Sequence, residues 1–92
     1  GGIPRGWPVT VERGGRYRIA INRIGHMNAG QLHVEFNGAH SSRRLAKGVH
    51  QAVFDLPAGS GVLEVWLELD EGGRVTWTDN HTLGDLDITF LG

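Results

Sequence analysis

The chain has 92 residues, including 15 Gly, three Pro and no Cys, and nine Lys and Arg against ten Asp and Glu leave a formal net charge of −1. A length near the lower end of the domain range predicts one domain, and the missing Cys exclude disulfide frameworks, thiol nucleophiles and Cys-ligated zinc. The balanced charge excludes the basic footprint of a nucleic-acid binder, and no apolar run is long enough to cross a bilayer.

Along the N-terminal half, apolar side chains alternate with polar ones, and a period of two is typical of β-strands. The alternation predicts strands over residues 8–13, 16–22 and 31–37. Gly14-Gly15 lies between the first two strands and favours a tight hairpin there. Asn37-Gly38 directly follows the third strand and is the strongest hairpin signal in the sequence.

The C-terminal half continues the same period. It predicts strands over residues 49–56, 62–70, 74–79 and 85–91. Leu86, Ile88 and Phe90 are the expected buried side of the last strand. Residues 41–47 show no such alternation and could form a single helical turn.

Seven or eight one-sided strands predict antiparallel sheets, each of which needs a second layer over its apolar face. The sequence therefore predicts an all-β antiparallel two-sheet sandwich, jelly-roll or immunoglobulin-like. A closed barrel is the alternative that periodicity does not separate. Residues 7–92 form the predicted domain, and residues 1–6 are a flexible leading segment or residues left from cloning. A signal peptide is absent or already removed.

The segment 76–82 is rich in polar groups and holds a large aromatic ring. Asp79, Asn80 and His81 could hydrogen-bond to sugar hydroxyls while Trp77 stacks on a pyranose. The simpler interpretation is a turn, in which Trp77 belongs to the core because it alternates with Val75.

The residues suggest a weak calcium site. Its hard oxygen ligands would be Asp79, Asn80, Asp85 and Asp87. The five His show no ligand spacing and are expected to be solvated, the alternative being a nickel or zinc site assembled in three dimensions.

Trp66 lies on the side of its strand opposite Leu63, Val65, Leu67 and Leu69. An outward Trp can be a stacking platform for a ligand or a docking surface for another protein domain. It can also be shielded by a loop or by the terminal segment around Trp7.

The only basic cluster consists of Arg43, Arg44 and Lys47. These residues either belong to a solvated loop or bind the sulfate or carboxylate groups of an anionic glycan. No Ser has a strand-to-helix elbow or a nearby base, and no pair of carboxylates lies in a predicted cleft. We therefore expect no enzymatic activity.

The N-terminal part carries Trp7, a Val-x-Val strand, the Gly14-Gly15 turn and Tyr17-Arg18-Ile19. It resembles the opening of β-sandwich domains appended to bacterial secreted hydrolases. Residues 56–73 follow the progression Leu-x-Ala-Gly, Leu-x-x-Trp, Asp-x-x-Gly, which resembles the C-terminal domain of bacterial arylsulfatases and, more loosely, jelly-roll carbohydrate-binding modules.

The sulfatase catalytic motif is missing, so the resemblance implies only the non-catalytic part of such an enzyme. It implies a secreted or periplasmic glycan-recognition or substrate-positioning module. The alternative is a structural or protein-interaction domain that docks through Trp66.

Overall fold

The computed structural model describes residues 6–21, 28–77 and 86–92. These residues form eight β-strands. The strands are β1 (Trp7–Val11), β2 (Gly15–Ile21), β3 (Gly30–Phe36), β4 (Ala39–Leu45), β5 (Gln51–Leu56), β6 (Gly59–Leu69), β7 (Arg74–Trp77) and β8 (Leu86–Phe90). The described part of the chain holds no helix of the length and apolarity needed to span a membrane.

The strands form two antiparallel sheets that pack face to face, so the predicted sandwich is confirmed and the alternative of a closed barrel is not. The smaller sheet has the order β5-β2-β8. In the larger sheet, β6 pairs with β3 on one side, and β3 pairs with β4. On its other side the long β6 pairs with β1 near its N-terminal end and with β7 near its C-terminal end.

Two of the predicted turns are hairpins. Asn37 and Gly38 join β3 to β4 and have φ of 49° and 82°. Two-residue turns with both φ values positive are favoured in hairpins, because their twist matches that of the paired strands. The chain likewise reverses between β6 and β7 through residues 70–73.

Two expectations for the connections are wrong. Gly14-Gly15 does not close a hairpin, because β1 pairs with β6 and β2 pairs with β5 and β8. The chain crosses there from one sheet to the other. Residues 41–47 contain no helical turn, since residues 41–45 belong to β4, whose register is fixed by the Asn37-Gly38 hairpin.

The core lies between the sheets and is built from inward side chains of β1, β2, β3, β5, β6 and β7. Strand β4 contributes only Leu45, and the side chains of β8 stay partly accessible. Its largest fully buried members are Trp77, Phe36, Phe54, Ile19, Leu32, Leu45, Leu63 and Leu67. The predicted burial of β8 is only partial, because Ile88 and Phe90 each remain 38% exposed. Among the described strands, β8 lies at the edge of its sheet and pairs only with β2.

Candidate functional site

The candidate site is the outer face of the larger sheet, where directly paired residues of four strands line up in rows. The central row is Ser42, His33, Trp66 and Thr76, flanked by the row Arg44, Gln31, Glu68 and Arg74 and by the row His40, Glu35 and Glu64. Strand alternation turns these side chains away from the core. The pairing therefore assembles aromatic, cationic and carboxylate groups on one rigid surface.

The imidazoles of His33 and His40 form one flat plate. Their Nδ1 and Nε2 atoms are 2.9 Å apart, while the ring centroids are 5.2 Å apart and the planes differ by 13°. The centroid separation equals the N–N distance plus the distance from each nitrogen to the centre of its own ring. The two nitrogens therefore lie on the line that joins the ring centres. The rings therefore meet edge to edge in nearly one plane, joined by a hydrogen bond.

The indole of Trp66 lies over this plate. Its ring is 5.0 Å from His33 with planes 2° apart, and 5.5 Å from His40 with planes 12° apart. If the indole lay in the plane of the imidazoles, its centroid would have to be farther from theirs, because the hydrogens on the facing ring edges would collide. The indole is therefore offset-stacked across the shared edge of the two imidazoles, a preferred arrangement of aromatic rings.

Arg74 contacts Trp66 from the other side of β6. Its guanidinium carbon is 4.9 Å from the indole centroid, within the range of a cation–π interaction. Because β3 and β7 flank β6 on opposite sides, His33 and Arg74 approach the indole from opposite directions. Trp66 is consequently only partly exposed.

Histidine 33 is the more buried of the two imidazoles, with 16% of its side chain exposed. Among the described residues its Nε2 is buried without a hydrogen-bond partner, and a Glu68 carboxylate oxygen lies 3.5 Å away. A buried polar atom without a partner is costly. The tautomer of His33 with hydrogen on Nε2 directs this N–H toward the carboxylate and leaves Nδ1 to accept from His40.

Arg44 closes one end of this face by an ion pair with Asp70, which follows β6. Both guanidinium nitrogens donate to the carboxylate, the Nη1–Oδ1 distance being 2.6 Å. The hydrogen bonds from Arg44 hold the pKa of Asp70 below its usual value, assisted by the opposite charge and opposed by slight burial. The same contact raises the pKa of Arg44. Arg44 is thus already paired with a carboxylate.

The structure changes the interpretation of Trp77. Its ring is 1% exposed and lies in the core, because its partner in the register is the inward-facing Val65. A glycan on the surface has no access to it, so the predicted stacking role of Trp77 is corrected to a structural one. The expected partners Asp79, Asn80 and His81 lie outside the described residues.

The structure describes only one of the four predicted calcium ligands. Asp79, Asn80 and Asp85 fall outside the described ranges, while Asp87 lies on β8 opposite Ala20. Within residues 6–21, 28–77 and 86–92, no group of three or more His, Asp or Glu is placed to hold a metal ion.

The predicted basic cluster is divided. Arg44 is on the outer face, whereas Arg43 is paired with Leu32 on the inner side and has its guanidinium 5.3 Å from the centroid of Phe54. Lys47 follows β4 in an exposed turn. Adjacent residues of one strand point to opposite faces, so the three cations do not form a single anion-binding surface.

Sequence reasoning missed His33 and His40 as a pair. The signal that finds them is the Asn37-Gly38 turn, because a two-residue hairpin places residue 40 opposite residue 35 and next to residue 33 on the same face. Trp66 was singled out correctly as outward. Its shield, however, is made by His33, His40 and Arg74 rather than by Trp7, which pairs with Leu63 on the inner side.

Comparison with protein-family models, with curated proteins and with solved structures gave no match. The case for a function therefore depends on the geometry of this face.

Proposed function

We propose that the protein is a non-catalytic glycan-binding module whose ligand lies on the outer face of the larger sheet, over Trp66. The observation that carries this proposal is the stack of Trp66 on the hydrogen-bonded His33–His40 plate. An indole held in a fixed orientation by neighbouring rings loses little freedom when a ligand packs on it. Such preorganisation is what a binding platform requires.

The groups around Trp66 suit sugar hydroxyls. Sugars present apolar C–H faces together with dense donors and acceptors, so they are bound by an aromatic ring flanked by planar polar groups. Glu68, Thr76 and Gln31 lie in the central row or next to it. They supply a carboxylate, a hydroxyl and an amide within reach of a ligand on the indole.

Arg74 covers the indole but does not block the site. Its side chain is exposed and belongs to a strand of four residues. An exposed cation–π contact contributes only about 0.5–1 kcal/mol. A pyranose can therefore displace the guanidinium from the ring of Trp66 at low cost, after which Arg74 can donate hydrogen bonds to the sugar.

The charges of this face favour a neutral glycan over the anionic one that the sequence suggested. The described side chains of the face include the carboxylates of Glu35 and Glu68, while Arg44 is engaged by Asp70. A sulfated or uronate-rich chain would approach these carboxylates and be repelled. Membership of a larger secreted or periplasmic hydrolase is proposed from the sequence resemblance alone.

Binding of neutral oligosaccharides of glucose, xylose and mannose, and of heparin as the sulfated comparison, tests the proposal by isothermal titration calorimetry. We expect a neutral sugar to bind more tightly than heparin. Trp66→Ala should lose up to about tenfold in affinity, because stacking contributes up to about 1.5 kcal/mol. Trp66→Phe, which keeps a ring, should lose less.

Arg18→Ala is the matched control, because Arg18 lies on a strand of the other sheet and is exposed. It should bind like the parent protein. Binding that survives Trp66→Ala unchanged, or that is lost equally in Arg18→Ala, would contradict the proposed site.

One observation favours a second candidate, docking of a protein domain on the same face. Val62 is 51% exposed, and with Pro8 it lines a shallow depression of about 500 Å³ on this face. The docking alternative predicts self-association or partner capture that is removed by both Val62→Asp and Trp66→Ala. Glycan binding predicts a loss with Trp66→Ala only.

A further inference from the structure

We propose that His33 and His40 form a proton-controlled clamp on Trp66, which is closed while the pair holds at most one extra proton and opens when both imidazoles are protonated. The clamp is a property of the free protein. Its effect on a ligand depends on the proposed glycan function.

The clamp follows from the hydrogen bond between the rings. A 2.9 Å contact between Nδ1 of His33 and Nε2 of His40 needs one N–H and one lone pair. When both imidazoles are cationic, both nitrogens carry hydrogen and the two donors face each other. The contact then breaks, and two like charges are left side by side.

A single extra proton suits the site. It gives His33 an N–H at both nitrogens, so that Nδ1 donates to His40 and the buried Nε2 points at Glu68, 3.5 Å away. His40 then stays neutral and accepts through Nε2. The singly protonated pair therefore pairs the buried nitrogen with a carboxylate, and only the second proton is disfavoured.

Charged groups on the strands packed against the pair surround it. Glu35 on β3 is opposite His40, and Glu64 and Glu68 lie on β6. Arg44 on β4 is paired with Asp70, and Arg74 on β7 lies across the indole of Trp66. None of these groups can restore an N–H···N bond once both imidazoles carry a charge.

His40 is the part that moves. It is exposed and lies on β4, at the edge of the sheet next to the turn, whereas His33 is held between two strands. Its departure removes one of the two rings beneath Trp66. The platform then loses its fixed orientation, and we expect ligand affinity to fall on acidification once the second imidazole is protonated.

NMR titration of the imidazole ring signals tests the clamp without any ligand. In the parent protein we expect the ring signals of His33 and His40 each to report the same two protonation steps, the mark of coupled sites. His33→Gln and His40→Gln should each convert the remaining imidazole to a single step. His50→Gln removes an exposed His away from this face and should leave the two coupled steps unchanged.

Trp66 fluorescence supplies the second readout. The difference between the parent protein and Trp66→Phe isolates its emission from that of Trp7 and Trp77. That difference should change with the second protonation step and lose this change in His40→Gln. Independent single-step titration of both imidazoles in the parent protein, or a Trp66 signal that ignores the second step, would overturn the clamp.

The outcomes separate the clamp from the proposed function. Two coupled steps without binding of any tested sugar would leave the clamp standing and refute the glycan ligand. Sugar binding with uncoupled imidazoles would do the reverse. When both hold, affinity should decrease about fivefold across the second step in the parent protein, less than the loss caused by Trp66→Ala, and remain nearly constant in His40→Gln.

Discussion

Trp66 and Trp77 lie on opposite faces of the same sheet, one residue apart in the register of β6 and β7. Trp77 is opposite Val65 and fully buried, and Trp66 is opposite Thr76 and partly exposed. Trp77 contacts the core between the sheets. Trp66 contacts two imidazoles and a guanidinium, and every one of these groups comes from the outer face.

The difference shows which aromatic residue the fold needs. The removal of Trp77 from water contributes to folding directly, since burial of apolar surface is the main favourable contribution. Folding gains much less from Trp66, because a polar or charged side chain at this outward position would remain solvated. An ordered aromatic cluster at a place where folding does not require one is the basis of the proposed binding role.

The largest expected effect contrasts the two tryptophans. Trp77→Ala should lower the free energy of unfolding by about 3–5 kcal/mol, because it leaves a cavity in the core. Trp66→Ala should lower it by about 1–2 kcal/mol, the sum of a cross-strand pair and a cation–π contact. Urea denaturation followed by circular dichroism measures both.

Trp77→Phe serves where Trp77→Ala does not fold, and it should still be less stable than Trp66→Phe. Equal losses at the two positions would mean that Trp66 is a structural residue. The central argument for a binding face would then fail.

A second prediction concerns added volume on the inner side. A Cβ at Gly30 would lie 2.3 Å from the carbonyl oxygen of Glu68 on the neighbouring strand. Gly30→Ala should therefore cost about 1–3 kcal/mol, since backbone must shift to make room. At Gly48 a Cβ meets nothing within 4 Å and only its φ of 82° is unfavourable, so Gly48→Ala should cost about 1 kcal/mol. A larger loss at Gly48, measured by thermal unfolding, would contradict this order.

Much of the fold could be predicted because alternation is a local signal. Residues 31–37 and 62–70 were identified as strands from period two alone, and both are observed within one to three residues. The strand β4 was missed, because Ser41 to Arg44 are all polar and an edge strand with little burial has no alternation to read. The pairing of β1 with β6 is a contact over about 50 residues that no local pattern encodes.

The candidate site could be predicted only in part for the same reason. The outward position of Trp66 follows from alternation within β6. Its contact with His33 requires the pairing of β3 with β6, which is non-local. His33 and His40 were accessible in principle, because the Asn37-Gly38 turn fixes their register locally.

The smallest expected effect concerns the ion pair at the edge of the outer face. Arg44 holds the pKa of Asp70 below its usual value. A carboxyl whose pKa is lowered by folding stabilises the protein above its unfolded pKa, about 3.9. That stabilisation is lost as the pH falls through the lower folded value. Asp70→Asn should therefore melt slightly below the parent protein at pH 7, and the gap should narrow as the pH falls below about 3.9.

A double-mutant cycle isolates this pair from the rest of the face. Both side chains are about half exposed, at 56% for Arg44 and 46% for Asp70, so solvent and salt screen their attraction. The coupling between Arg44→Gln and Asp70→Asn should be small at pH 7, weaker in 1 M salt and absent at low pH. A coupling that persists at low pH would require a contact other than the charge pair. Side-chain packing on the outer face would then also stabilise the fold. The two faces would differ less in their contribution to the free energy of unfolding than Trp66 and Trp77 indicate.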